Sequence, residues 1–226
     1  IILGFTEVPS LHPLEEAIIT TAPSVLATRQ RFHIFQSLLQ KNIQSNTVTC
    51  SVPCGVMADL LTLDLPETVE NIRFVGIDLD QVSLDLARDM AASKGKSQSC
   101  HFFRENAWDL ASNHPAAFDL ITTNGLNIYE ADDDKVTDLY RVLRTALKPG
   151  GKLIGSALSL PQEWAVSKIN ADALNLQRAI FIQILQATWS HFRSADQTTR
   201  QLNTAGFDAV EIHWDDAHLF YSFEAM

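Results

Sequence analysis

The stretch TCSVPCGVMADLL, residues 49–61, sets Pro53, Cys54 and Gly55 on the exit of a β-branched apolar run, just before helix-forming residues. In a chain with only nine glycines, a glycine there needs a reason. A plain turn would supply one. So would a loop whose backbone must touch a ligand, because Gly55 has no Cβ to block the approach. Other chemistry finds little support: no HExxH, GxSxG or phosphate-loop pattern occurs. Cys50, Cys54 and Cys100 are an odd number with no CxxC pair, which points to buried reduced thiols rather than a disulfide framework or a zinc knuckle. The ADDDK run at 131–135 reads as a helix start with aspartates favourable against the dipole, so no metal site is expected. His213 and His218 lie in the C-terminal strand pattern and read as packed or solvated rather than as a catalytic base.

The elements that must position Gly55 alternate. Residues 10–45 read as helical, with Val25, Phe32, Phe35 and Leu39 near helical spacing. VTCSV (48–52), RFVGID (73–78), CHFFREN (100–106), FDLITTN (118–124) and KLIGSAL (152–158) read as five strands. Between them, QVSLDLARDMAASKG predicts a helix with Val82, Leu86 and Met90 on its apolar face, closing at Gly95. Residues 132–147 predict a helix carrying Val136, Leu139, Tyr140, Leu143 and Leu147 on one face, stopped by KPGG. Such alternation means a parallel sheet with right-handed crossovers covering both faces. Residues 161–205 break the rhythm: ALNLQRAIFIQILQATWSHF is apolar nearly all round, which predicts a helix buried between two layers. A further helix ends at Gly206, and DAVEIHWDD and LFYSFEAM then predict two adjacent strands.

Composition narrows the partners. The 226 residues suit one large domain or one domain with a cap. With 46% hydrophobic and 19% charged residues the chain is of ordinary globular make-up. A net charge of −10 and the lack of any Lys/Arg run argue against a nucleic-acid backbone. No apolar run approaches the roughly 18 residues of a membrane span. IILGF at the start is too short for a signal-peptide core and lacks a basic flank, so a cytoplasmic protein is expected. Ile1 stands where an initiator Met would, an expectation of residues upstream.

Taken together, SVPCGVM, VGIDLD, RENAWDL, FDLITTNGLNIY, LKPGGKLIGSAL and GFDAVEIHW…LFYSFEAM fall in the order and spacing of a known family. Over about residues 45–226 the chain resembles a class I S-adenosylmethionine-dependent methyltransferase. The resemblance implies an α/β fold: a doubly wound, mostly parallel seven-stranded sheet of order 3-2-1-4-5-7-6, with an antiparallel C-terminal hairpin and a helical cap. It divides the chain into a cap at 1–45 and a methyltransferase domain at 46–226, with a helical insertion at about 159–200. It implies S-adenosyl-L-methionine as cofactor, bound beyond the carboxyl ends of the strands near the switch between the first and fourth.

On this resemblance Pro53, Cys54 and Gly55 form the loop against the methionine portion. Asp78 falls 23 positions after Gly55, close to the ~20 expected for an acid bonding ribose hydroxyls; Leu79 follows it, and Asp80 is the spare acid. Asn106 accepts from the adenine amino group, the Ala107 N–H meets a ring nitrogen, and Trp108 either packs on the adenine plane or is an ordinary core aromatic. Asn124, Gly125 and Asn127 face the methionine end and the sulfonium.

Three positions depart from the family pattern. Ser51 replaces an acid, Pro53 the first loop glycine and Met57 the last. Pro53 removes an N–H donor, and Met57 is expected to put a side chain near the cofactor. No catalytic residue is singled out, because methyl transfer chiefly needs alignment and exclusion of water. Helices at 10–45 and 161–195 are available to cover an acceptor, and Phe32, Phe35, Trp164, Phe181 and Trp189 suggest a small, partly apolar one. Two other readings compete. A non-catalytic cofactor-binding scaffold is motivated by Ser51, Pro53 and Met57. An NAD-dependent dehydrogenase is opposed by Pro53, where GxGxxG needs glycine, and by the terminal hairpin.

Overall fold

The computed structural model describes residues 11–186 and 191–226. Helices α1 (Pro13–Thr21) and α2 (Pro23–Asn42) open it. The stretch read as helical is divided at Ala22, held extended at φ −63°, ψ 122°, because the residue before a proline is pushed out of the helical region. The chain continues as β1 (Val48–Ser51), α3 (Ala58–Leu61), β2 (Arg73–Asp78), α4 (Gln81–Ser93), β3 (Cys100–Arg104), α5 (Leu110–Asn113), β4 (Phe118–Asn124) and α6 (Asp133–Ala146). Then come β5 (Leu147–Leu158), α7 (Ala171–Arg178), α8 (Ala195–Thr204), β6 (Val210–Trp214) and β7 (Phe220–Ala225). The seven strands lie in the order β3-β2-β1-β4-β5-β7-β6. β1 to β5 are parallel, and β7 runs antiparallel to both β5 and β6. This is the doubly wound α/β sheet with a C-terminal hairpin that the strand spacing predicts.

Two packed layers follow from the period-2 alternation of each strand. Phe74, Leu120 and Ile154 face α2, α3 and α4, where Phe35, Leu38, Leu39, Leu60 and Leu84 close one core. Ile77, Ile121, Leu153 and Phe223 face the other side, against Val136, Leu139, Tyr140 and Leu143 of α6 and Leu202 of α8. Those four α6 side chains are fully buried, each worth about 1.5–3 kcal/mol of transfer free energy. Leu147, predicted on the same helix face, instead opens β5, which begins before the KPGG turn.

Two predicted faces are corrected. On α4 the buried side chains are Leu84, Ala87 and Ala91, while Val82 and Leu86 are exposed and Met90 is half-buried. Small alanines let the helix lie close on the sheet, and that favours the i, i+3, i+7 face over the larger side chains. The helix expected between two layers is also turned outward. α7 has no buried residue and continues as a π-helical turn over Ala179–Ile184. Ile182 and Ile184 there are well exposed. Trp189, named with this helix, lies outside the described residues. Among the described residues, no helix is long and apolar enough to cross a membrane.

Candidate functional site

The loop after β1 is held by its neighbour strand. The Cys54 N–H donates to Ile77 O at 2.9 Å, and the Gly55 N–H donates to Asp78 Oδ2 at 2.9 Å. Asp78 Oδ1 accepts the Asp80 N–H at 3.0 Å. One carboxylate thus fastens the β1 exit to the β2 exit. A carboxylate has about four lone-pair directions, so Asp78 keeps capacity for two further donors. Gly55 sits at φ +49°, and a Cβ built there would meet nothing within 4 Å. The glycine serves a left-handed backbone and leaves open space above the loop. Val52–Pro53 is a cis peptide bond.

Other side chains of the loop face inward. Cys54 is buried, and burial followed by the charge of Asp78 pushes its thiol up to about 12. Its contribution at the loop is therefore backbone. Met57 corrects an expectation: it is 1% exposed and packs in the α2–α3–α4 core rather than beside the ligand space. It occupies the left-handed region at φ 53°, which accounts for the glycine usual at that place. Asp80, the spare acid, is the N-cap of α4, accepting from Val82 N, Ser83 N and the Ser83 hydroxyl. The Ser83 hydroxyl and the two N–H groups lower its pKa. Asp78 remains the acid facing the loop, with exposed Leu79 beside it.

At the β3 exit Asn106 caps a 3-10 turn, its Oδ1 accepting from Trp108 N at 3.2 Å. Asn106 is exposed and Ala107 buried. The Asp109 N–H donates to Asn106 O, and among the described residues the Ala107 N–H has no partner. Trp108 is half-buried and packs against the α6 core. At the β4 exit Asn124 Oδ1 accepts from the Ser156 hydroxyl at 2.7 Å, and Gly125 starts a 3-10 turn at φ +86°. Asn127 turns away from the expected direction. Its side chain is buried, with Nδ2 donating to the Tyr140 hydroxyl at 3.0 Å. Asp132 caps α6, as the ADDDK run predicts.

Sequence reasoning missed two residues here. Arg193, 3% exposed, donates to Asn127 O at 2.6 Å, Glu130 O at 2.7 Å and Asp133 Oδ1 at 2.8 Å. It clamps the β4 exit turn to the chain that returns from the insertion. Its only sequence signal is an isolated arginine near an apolar run. Asp59, in the first turn of α3, is half-buried, and burial pushes its carboxyl up to about 6 against the N–H groups of Leu60 and Asp59 itself. With Ser51 buried at the family's acidic position, Asp59 is the carboxyl that the α3 turn carries after the loop.

These strand exits border the open space over Gly55: the Asp78 carboxylate at β2, a turn with the Ala107 N–H unpaired at β3, and a glycine turn at β4. Comparison with known proteins agrees in kind. A family described as "Methyltransferase domain" matches residues 43–206. A Bordetella parapertussis protein described as a "possible exported protein" shares 38% identity, with 99% of this chain and 76% of that chain covered and a TM-score of 0.94. Magnesium protoporphyrin IX methyltransferase from Synechocystis PCC 6803, solved with bound SAH, has TM-score 0.64 at 13% identity, covering 97% of this chain and 89% of that one. The [4+2]-cyclase SpnF has TM-score 0.59 at 20% identity, covering 81% and 61%. No curated protein matches the sequence.

Proposed function

Since the chain belongs to the methyltransferase-domain family across residues 43–206, we propose that it transfers the methyl group of S-adenosyl-L-methionine to a small-molecule acceptor. The observation that carries this is the Gly55–Asp78 junction, where a left-handed glycine with open space above it is tied to the acid ending β2. On this reading Asp78 takes the ribose hydroxyls with its remaining lone pairs, and Asn106, Ala107 and Leu79 hold the adenine. Gly55, Asn124 and Gly125 border the methionine end, with Pro53 and Cys54 shaping the loop through their backbone.

When bound, the cofactor supplies a methyl group on a positively charged sulfur. The chain's own part is to align the acceptor atom at about 3–3.5 Å and keep water out. α2 and the 159–186 segment cover the carboxyl ends of β4 and β5, bringing Trp164 and Ile169 against Ile128, Leu158 and Phe220. Incubation with radiolabelled S-adenosylmethionine and a panel of small acceptors tests the assignment: label moving to an acceptor supports it. A folded protein that fails to bind the cofactor even at millimolar concentration points to the scaffold reading that Ser51 and Pro53 motivate. The cyclase of the same fold makes turnover, rather than binding, the deciding observation. A cytoplasmic protein is proposed as well, and its three buried, unpaired cysteines are compatible with a reducing compartment. Cell fractionation checks this against the name of the Bordetella relative.

A further inference from the structure

Arg31 lies on α2 one turn after Ala27, with its guanidinium carbon 4.4 Å from the centre of the Phe220 ring. Its Nε is closed off from solvent and donates to nothing. Among the described residues the guanidinium makes no hydrogen bond and no ion pair. Asp215 acts on it through charge, but that carboxylate is already occupied. It accepts the N–H groups of Ala217 at 2.8 Å, Leu219 at 3.4 Å and Phe220 at 2.5 Å. A second enclosed donor, Trp164 Nε1, also lacks an acceptor. Trp164 packs on the apolar cluster of Ala27, Ile128, Leu158 and Phe220, so both donors stand at the same cluster.

Enclosed donors without partners are destabilising, a charged one most of all, and they are rare in folded proteins. Burial lowers the Arg31 pKa to about 10 against the raising charge of Asp215, so the guanidinium stays positive at neutral pH. It is also held in place. Gln30 Nε2 donates to Asp216 Oδ2 at 2.7 Å, and the Asp216 N–H donates to Gln30 Oε1 at 2.9 Å. These two bonds pin α2 to the turn before β7. The place is remote from the cofactor loop: Phe220 pairs with Leu158 at the end of β5, and β7 stands three strand spacings from β1, roughly 14 Å. The missing partner therefore belongs to the acceptor rather than to the cofactor's own carboxylate.

We propose that Arg31 and the Trp164 indole N–H receive a carboxylate of the methyl acceptor, which makes the acceptor a small organic acid with an apolar body. This rests on the methyltransferase reading above. One positive charge and one neutral N–H suit a monoanion better than a phosphate dianion, which would bring a second negative charge near Asp215. Half-buried Trp164, backed by buried Ile128, Leu158 and Phe220, offers the apolar body its surface.

The test uses protein loaded with S-adenosylhomocysteine and titrated with benzoate, phenylacetate and indole-3-acetate, with the amide of each, and with phenyl phosphate. At least one carboxylate is expected to bind ten times or more tighter than its amide and tighter than phenyl phosphate. Arg31→Gln should erase that preference and Arg31→Lys restore part of it, while affinity for S-adenosylhomocysteine stays within twofold. Equal binding of acid and amide, tighter phenyl phosphate, or no binding of any carboxylate overturns the proposal. A variant readout needs no acceptor: Arg31→Met should melt at or above the wild-type temperature, since an unpartnered charge is removed. A fall of several degrees would show that the guanidinium is held for the fold and would also overturn it. If wild-type protein takes up no S-adenosylhomocysteine, the methyltransferase reading itself fails; uptake without acid preference sinks only the acid assignment.

Discussion

At the exits of β1 and β2 the loop groups are tied to one another: Gly55 to Asp78, Asp78 to Asp80, and Cys54 to Ile77. At the exits of β5 and β7, Arg31 Nε and Trp164 Nε1 are enclosed and donate to nothing. The first region is already in a satisfied geometry, and a ligand there adds bonds to lone pairs that remain. The second carries two enclosed donors with no acceptor among the described residues. A cradle common to a whole family can be built from backbone and one acid, whereas acceptor choice falls to side chains contributed by α2 and the 159–186 segment.

The contrast can be broken or sharpened by substitution. The largest effect is expected at Arg193, which clamps the β4 exit turn beside the second region. Arg193→Ala leaves the Asn127 and Glu130 carbonyls without their donor and should cost about 3 kcal/mol of stability, read from urea unfolding. An unchanged midpoint would show that the clamp carries no weight. Next comes Asp78→Ala, which should weaken S-adenosylhomocysteine binding by about 1.5–3 kcal/mol, roughly tenfold to 150-fold, through lost charged hydrogen bonds.

Asp59→Asn probes the loop through pH. The folded carboxyl, pushed up to about 6 from an ordinary 3.8, holds a proton that the unfolded chain releases between those values. Wild-type stability therefore falls as pH rises through that window and stays lower above it. The variant escapes this loss and should be more stable by on the order of 2 kcal/mol at pH 7, with the gain gone below about pH 4. Parallel pH curves for the two proteins would contradict the burial of this carboxyl. The smallest change is Gly55→Ala, costing about 1–2 kcal/mol for a side chain in the left-handed region. The protein should still fold, since the Cβ meets nothing within 4 Å, but cofactor affinity should drop. Undiminished affinity would remove Gly55 from the site.

The sheet was readable because β1, β2 and β4 are short buried runs separated by helical segments, and Phe118–Asn124 falls where the pattern puts it. Gly55 and Asp78 were readable for a related reason: a glycine turn and an acid at strand ends are local features. Partners supplied by distant elements were not. Asn127 turns to Tyr140 and Arg193, one 13 and the other 66 positions away, and nothing in NGLNIY marks that. Val82 and Leu86 outweigh Ala87 and Ala91 in a hydrophobic pattern, yet close approach to the sheet selects the alanines. Apolar residues at 179–186 suggested burial, but exposure depends on what lies opposite, and the pattern holds no information about that.

The central claim is that the β1–β2 junction binds an adenosylated methionine. Titration calorimetry with S-adenosylhomocysteine, with NAD as the control, tests it most directly. One-to-one binding of S-adenosylhomocysteine is expected, weakened tenfold or more in Asp78→Ala, with no heat from NAD. Binding of NAD alone, or equal binding by wild type and Asp78→Ala, would contradict it.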